Sequence, residues 1–319
     1  MSETPLSLDR ADIGAGCSVR AMRLSAYPSS PQLAALDGRH PCFSENEGAG
    51  GRLHLPVSPG CNIACRFCKR EISQTVRRPG VTRKLLSPSE ALSVVGRALD
   101  LCKELAVAGI AGPGDTLASP YALETFRLIH RSYPHLINCL STNGLLLPEK
   151  AVEIITVGVK TITVTINAVD PAIGARMNAG VSWKGRWLSG EKAAVRLIAN
   201  QLEGVRKIAD LGGVVKINTV LAPEINGGHI RDIAKAARKA GATIINIIPL
   251  IPQHQMIAVR PPSAAETSHA QAEAENYLAV FRHCQRCRAD ACGAPGKSDF
   301  SAALYGEETP PLDATFSHG

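Results

Sequence analysis

Apolar, β-branched runs recur along the chain at residues 53–57, 105–111, 136–140, 161–166, 214–221 and 243–250, each bounded by Gly, Pro or Asn. Runs of this length and composition predict buried strands. Between them the apolar positions change to helical spacing. Ser87 and Pro88 supply an N-cap and a first-turn proline, after which Leu92, Val95, Leu99 and Cys102 fall at i, i+3, i+7 and i+10. Similar patterns predict helices over 120–132, 148–157, 190–211, 228–240 and 265–282. Six strands alternating with helices predict an α/β fold whose parallel sheet is covered on its outside, either doubly wound or curved into a partial (β/α) barrel.

The two ends of the chain break this rhythm. Residues 1–50 are rich in Pro, Ser and Gly and predict an irregular arm. Residues 51–258 carry the repeating core. Residues 259–319 give one helix and then a Cys-rich, polar tail, an appendage and not a second domain. For 319 residues, one large domain with extended ends is the expected organisation. Hydrophobic residues at 45% and charged residues at 20% exclude bulk disorder. The net charge of +7 is spread over the chain, and 4% aromatic residues are too few for base-stacking platforms, so no nucleic-acid partner is expected. No apolar run approaches the roughly 18 residues of a membrane span, and residues 1–10 lack a signal-peptide core. A cytoplasmic protein without a membrane partner is expected. Ten cysteines in such a chain point to metal or cluster binding, because the cytosol keeps thiols reduced.

Three of them, Cys61, Cys65 and Cys68, form a C-x3-C-x2-C loop between the first strand and the first helix. Thiolates this close can ligate three irons of a four-iron cluster and leave the fourth iron open to substrate. A zinc ribbon or a fully ligated electron-transfer cluster is the other reading, and each wants a fourth local ligand. The spacing, its place after a first strand and the aromatic Phe67 before the last Cys resemble the signature of the radical S-adenosylmethionine (SAM) superfamily. That resemblance implies a partial (β/α)6 TIM-like barrel in which Cys61, Cys65 and Cys68 hold the catalytic cluster. It also implies that the open iron chelates the amino and carboxylate groups of SAM, and that an electron from the cluster cleaves SAM to a 5′-deoxyadenosyl radical.

Ligand-binding groups in parallel β/α folds collect at the carboxyl ends of the strands. Candidates lie at those places: Gly112, Pro113, Gly114 and Asp115 after the second strand, Asn143 after the third, Thr165 and Asn167 at the fourth, and Ile217 and Asn218 on the fifth. The first group matches the superfamily's segment for the SAM amino group. Each alone is also consistent with a satisfied loop residue, but strand ends in register point to one site.

Longer segments resemble one family within the superfamily, NifB, whose members build the carbide-containing precursor of nitrogenase cofactors. They begin at His40, His54, Arg78, Gly109, Cys139, Lys216 and His283 and cover roughly residues 40–295 in order. The chain resembles the short, stand-alone form without a NifX-like domain. The resemblance implies two auxiliary four-iron clusters besides the SAM cluster, with Cys42, Cys139, Cys284 and Cys287 as ligands. One SAM would methylate a cluster sulfide, a radical from a second would abstract hydrogen from that methyl group, and the carbon would end as a carbide in a fused eight-iron product. The implied partners are iron–sulfur cluster donors, an electron donor such as ferredoxin or flavodoxin, and downstream nitrogenase cofactor assembly proteins.

Two departures stand out. Family members usually carry a Cys six residues after the SAM motif, where this chain has Gln74, and a His shortly after the His-Pro-Cys block, where it has Glu45, Asn46 and Glu47. Either Cys292 or Cys17 then supplies a thiolate, or one auxiliary cluster is held loosely by Cys42, Cys139 and a non-thiolate group. The loose cluster is the expectation, since a cluster that must move and fuse benefits from weak attachment. Cys102, on an apolar helical stripe, is expected in the core. A radical SAM enzyme with a single auxiliary cluster and a non-catalytic cluster scaffold remain as rival readings.

Overall fold

The computed structural model describes residue 36, residues 38–44 and residues 49–306; Cys17, Glu45, Asn46 and Glu47 lie outside the described residues. Six strands, β1 (Gly51–His54), β2 (Leu105–Ile110), β3 (Ile137–Thr142), β4 (Val159–Thr165), β5 (Val214–Leu221) and β6 (Ile244–Pro249), lie side by side in the order in which the chain makes them. All five neighbouring pairs are parallel. A doubly wound sheet reverses its strand order at a switch point, whereas a barrel adds every unit on the same side. The absence of a reversal among β1 to β6 therefore selects the partial (β/α)6 barrel. Its strands are buried on both faces, as β2 shows with all six residues buried.

The helix Pro88–Leu101 starts where Ser87 predicts it: the Ser87 hydroxyl accepts from the Glu90 amide and the Glu90 side chain returns to the Ser87 amide, a capping box. Its buried face is Ala91, Val94, Val95 and Ala98. Helices follow at Tyr121–Ser132, Leu147–Thr156, Gly190–Asp210, Ile230–Ala240 and Ala264–Glu275. The last is shorter than the predicted 265–282. Its expected end is instead strand β7 (Ala279–Val280), which pairs parallel with Ile244 and Ile245 of β6. Strand β8 (Cys292–Gly293) lies antiparallel to β1 at the opposite edge. The two edges do not pair, so the barrel stays open.

Sequence patterning did not foresee a small antiparallel sheet of Ile63–Cys65, Asn178–Trp183 and Arg186–Ser189. Lys184 and Gly185 take φ of 50° and 75° at its hairpin turn, the primed geometry that suits the twist of the flanking strands. The sheet fixes the cysteine loop by pairing Ile63 with Val181, Ala64 with Gly180 and Cys65 with Asn178.

The C-terminal segment is tied down by an ionic triad. Asp290, fully buried, accepts from the Arg83 amide at 2.6 Å and from the Arg83 guanidinium at 3.2 Å. Arg288 donates to the same carboxylate at 2.8 and 3.0 Å and to the Ser73 carbonyl at 2.8 Å. Among the described residues no helix is long and apolar enough to cross a membrane.

Candidate functional site

The first of two adjoining cavities lies at the carboxyl ends of the strands, and the second is lined also by Arg52, Val107, Cys139 and Lys216 from within β1, β2, β3 and β5. Cys61, Cys65 and Cys68 share the wall of the first. The loop carrying them is held by backbone bonds from Ser182 N to Asn62 O (2.8 Å), Arg66 N to Met177 O (3.0 Å) and Cys68 N to Cys65 O (3.2 Å). Burial pushes the Cys61 thiol up to about 12, and the Asp115 charge adds to the shift. Burial also raises Cys65, helped by the charges of Cys68 and Cys61, and raises Cys68. Without metal these thiols are protonated, so loading iron must release protons.

Pro113, Gly114, Asp115, Asn143, Thr165 and Asn167 line the same cavity. Gly114 is where the second-strand loop meets the cysteine loop. Its amide donates to Ser58 O at 2.7 Å and the next amide, of Asp115, to Gly60 O at 2.8 Å. A Cβ on Gly114 would lie 1.9 Å from Gly60 O. Burial raises the Asp115 carboxyl, against the donors that hold it down. Those donors are the Asn143 amide (2.6 Å), the Thr142 hydroxyl (2.9 Å) and the Leu117 amide (3.0 Å). Asp115 thus fixes the end of β3. Asn143 in turn donates to Asn62 Oδ1 at 2.6 Å and lies with Nδ2 3.8 Å from Cys61 Sγ.

Two residues that sequence reasoning missed support this wall, of which Gln201 lines the cavity. Gln201, buried, donates to the carbonyls of both Asn143 and Thr165 at 2.8 Å, and Asn200 donates to Leu145 O at 2.7 Å. Both sit on the buried face of the helix Gly190–Asp210, among Ala193, Ala194, Leu197 and Gly204. Adjacent amides on an apolar stripe were the available signal. By contrast Gly112 and Ile217, expected at the SAM site, line neither cavity. Gly112 has φ 120° and its Cβ would meet nothing nearer than Ala289 at 3.5 Å, so its need is backbone conformation. Ile217 is a fully buried core residue.

The second cavity shares Phe67, Cys68, Ala111, Pro113, Ser141 and Thr165 with the first. Cys42, Cys139, Cys284 and Cys287 converge on it from the arm, from β3 and from the C-terminal segment. Asn218 lies here and not in the first cavity, accepting from Asn246 at 3.1 Å. Burial pushes Cys139 up to about 12, and the Cys42 charge adds to it. The Cys42 amide donates to His40 Nδ1 at 3.1 Å, while His40 Nε2 is buried without a partner among the described residues. Lys216 donates to Cys42 O at 2.9 Å and lies 4.7 and 5.0 Å from the ring centres of Phe43 and Phe281. His54 donates from Nδ1 to Arg288 O at 2.9 Å, and burial, then the Arg52 charge, holds it neutral down to about 4. The charged residues on this wall are Arg52, Lys216 and Arg286; among the described residues no carboxylate lines it.

Gln74 is half-buried and lines neither cavity. Cys292 is fully buried in β8 opposite Leu53, beside the buried Cys102, and lines neither cavity. No three His, Cys, Asp or Glu among the described residues stand close enough to hold a single metal ion. Thiols spread around a cavity suit a cluster, in which each takes a different iron.

A sequential parallel barrel with a three-thiol loop after its first strand defines a class of protein, and the Radical SAM superfamily model matches residues 55–248. Within that superfamily the chain belongs to the NifB family. It is 44% identical over 265 residues to the FeMo cofactor biosynthesis protein NifB of Methanocaldococcus jannaschii, covering 82% of this chain and 88% of that protein. To the protein of the same name from Klebsiella pneumoniae it is 40% identical over 277 residues, covering 84% of this chain and 59% of that one. Among solved structures, native anSMEcpe with bound AdoMet matches 63% of this chain and 51% of that chain at 18% identity and a TM-score of 0.45.

Proposed function

We propose that this chain joins two four-iron clusters, taken as substrates, around a carbon atom drawn from SAM, yielding the eight-iron, carbide-centred precursor of nitrogenase cofactor. The observation that carries this reading is the pair of adjoining cavities with seven cysteines between them: Cys61, Cys65 and Cys68 on the first, and Cys42, Cys139, Cys284 and Cys287 with Cys68 again on the second. Among the described residues the first wall has three thiols and no further Cys or His, the donor set that leaves one iron of a four-iron cluster for SAM. When bound, that cluster supplies the electron that opens radical chemistry on SAM. The chain's own residues position and shield. Gln201 and Asn62 fix Asn143 beside the cysteine loop, and Thr165 stands on the wall common to both cavities.

The second cavity favours anionic cargo, because three cations face it with no carboxylate among the described residues to oppose them. A cluster carrying thiolate and sulfide is such a cargo. Cys42 and Cys139 would hold one cluster, Cys284 and Cys287 the other. His40 Nε2, buried on this wall without a partner among the described residues, is a candidate for the non-thiolate group wanted where Gln74 replaces the family cysteine. In this reading residues 51–258 form the catalytic unit, while 1–50 and 259–319 bring cargo ligands. Ferredoxin or flavodoxin would donate electrons, and cluster donors and cofactor assembly proteins would stand on either side.

Iron counting separates the readings. Three four-iron clusters predict about twelve irons per reconstituted chain, and a single auxiliary cluster about eight. A scaffold would bind iron without forming 5′-deoxyadenosine from SAM. In the proposed enzyme, Cys61→Ala, Cys65→Ala or Cys68→Ala abolishes that product while auxiliary iron stays bound; undiminished SAM cleavage in any of the three overturns the assignment.

A further inference from the structure

The two thiols of the C-terminal C-x2-C pair stand in unlike surroundings. Cys287 Sγ accepts two N–H groups of Arg52, from Nε at 3.2 Å and Nη2 at 2.9 Å. The remaining arm of the guanidinium donates from Nη1 to Gly293 O at 2.6 Å. This carbonyl is in place because β1 and β8 pair Arg52 with Gly293. Arg52 is buried, 8% exposed, and its donors go to one thiol and one carbonyl, with no carboxylate among its partners. Cys284 has no comparable donor among the described residues. Between the two thiols Arg286 takes φ 49°, a left-handed conformation that a large side chain adopts only when its surroundings impose it. Next in the chain, Arg288 anchors to Ser73 O and Asp290. Cys287 is therefore held from both sides.

We propose that Arg52 is a positioning residue that makes Cys287 the releasing ligand of the pair, so that cluster cargo leaves its sulfur first while Cys284 retains its end. The proposal rests on the reading that Cys284 and Cys287 hold a substrate cluster. Its physical basis is the charge on the sulfur. A thiolate grips iron by donating electron density, and two charge-assisted N–H bonds to that sulfur draw density away. Hydrogen bonds to cluster sulfurs also raise the reduction potential. A resident electron-transfer cluster gains nothing from a weakened ligand. A cluster that must detach and fuse does, and the asymmetry gives the departure a direction.

The test uses the full chain, reconstituted with iron and sulfide, as wild type, Arg52→Met and Arg52→Lys. Met has similar length but no donor, and Lys keeps the charge without the fork. The potential of the auxiliary iron is followed by electron paramagnetic resonance during reductive titration, and its loss to a ferrous chelator is followed by absorbance. Arg52→Met is expected to bind iron fully, to show a lower potential, and to release the C-terminal cluster on the order of fivefold more slowly. Arg52→Lys falls between. Unchanged potential and release in Arg52→Met overturn the proposal, and so does reduced iron uptake by a folded variant, which would make Arg52 a binding group. If Arg52→Met does not fold, Arg52→Lys, checked by its melting curve, decides on the same two readouts. If a Cys284→Ala, Cys287→Ala double variant binds as much iron as wild type, the cargo site itself is misassigned and the proposal fails with it.

Discussion

Replacing Asp290 by Ala removes the carboxylate shared by Arg83 and Arg288, both buried. Its side chain is fully buried, and the side chains of its partners Arg83 and Arg288 are 10% and 8% exposed. Four donors would lose their acceptor: the Arg83 amide at 2.6 Å, the Arg83 guanidinium at 3.2 Å, and Arg288 at 2.8 and 3.0 Å. Breaking a buried ion pair from one side costs about 3–5 kcal/mol, because the remaining charge is left uncompensated. Arg288 keeps carbonyl acceptors at Ser73 and Val76, which places the expected loss near the lower end, about 3 kcal/mol. For 319 residues that corresponds to a fall in Tm of roughly 4–5 °C. Asp290→Asn keeps the shape and one acceptor and should fall between the two. The segment released by the change carries Cys284 and Cys287, so auxiliary iron should be lost while SAM cleavage continues. Differential scanning calorimetry of iron-free protein, followed by iron analysis after reconstitution, measures both effects. An Asp290→Ala protein that melts within about 2 °C of wild type would refute the reasoning.

Gly114→Ala places a Cβ 1.9 Å from Gly60 O and must part the two bonds that dock this loop on the cysteine loop. SAM cleavage should drop at least about tenfold, the effect of roughly two lost hydrogen bonds, and unimpaired cleavage would contradict the packing. His54 is held neutral down to about 4 against an ordinary 6.5, so the unfolded chain binds the extra proton between these values. Its contribution is complete above about pH 6.5 and is lost as pH falls toward 4. Melting of iron-free protein should therefore decline from pH 7 to 5, less steeply in His54→Asn; equal slopes would remove His54 from the account. Cys292→Ser should lower stability by about 1–3 kcal/mol, by burying a hydroxyl among apolar neighbours, and leave iron content unchanged. Loss of four irons would instead make Cys292 a ligand.

Much of the fold is legible along the chain because burial on both faces writes each barrel strand as a continuous apolar run. The Ser87 start signal works for the same local reason: the cap and its Glu90 partner are three residues apart. What is not legible depends on distant partners. Gly112 and Gly114 look alike in sequence, and only the approach of Gly60 shows which of them a side chain would block. Arg52 and Lys216 sit in strands as charged interruptions, tolerable because Cys287, Phe43 and Phe281 arrive from other parts of the chain. The hairpin of Asn178–Trp183 and Arg186–Ser189 has mixed burial and no clean alternation, so its role in pinning Cys65 shows only in the pairing. Residues 279–280 read as the end of a helix because a short apolar run fits both periods, and the exposed edge of β6 decides between them.

The most direct test of cluster fusion follows the carbon. The reconstituted protein is incubated with reductant and SAM carrying a labelled methyl group, and its low-molecular-weight extract is added to nitrogenase protein that lacks cofactor. The account predicts that the extract restores nitrogenase activity and that the label is found in the matured cofactor, with no restoration from a Cys61→Ala protein. An extract that forms 5′-deoxyadenosine alongside it but neither restores activity nor carries the label would contradict the proposed function.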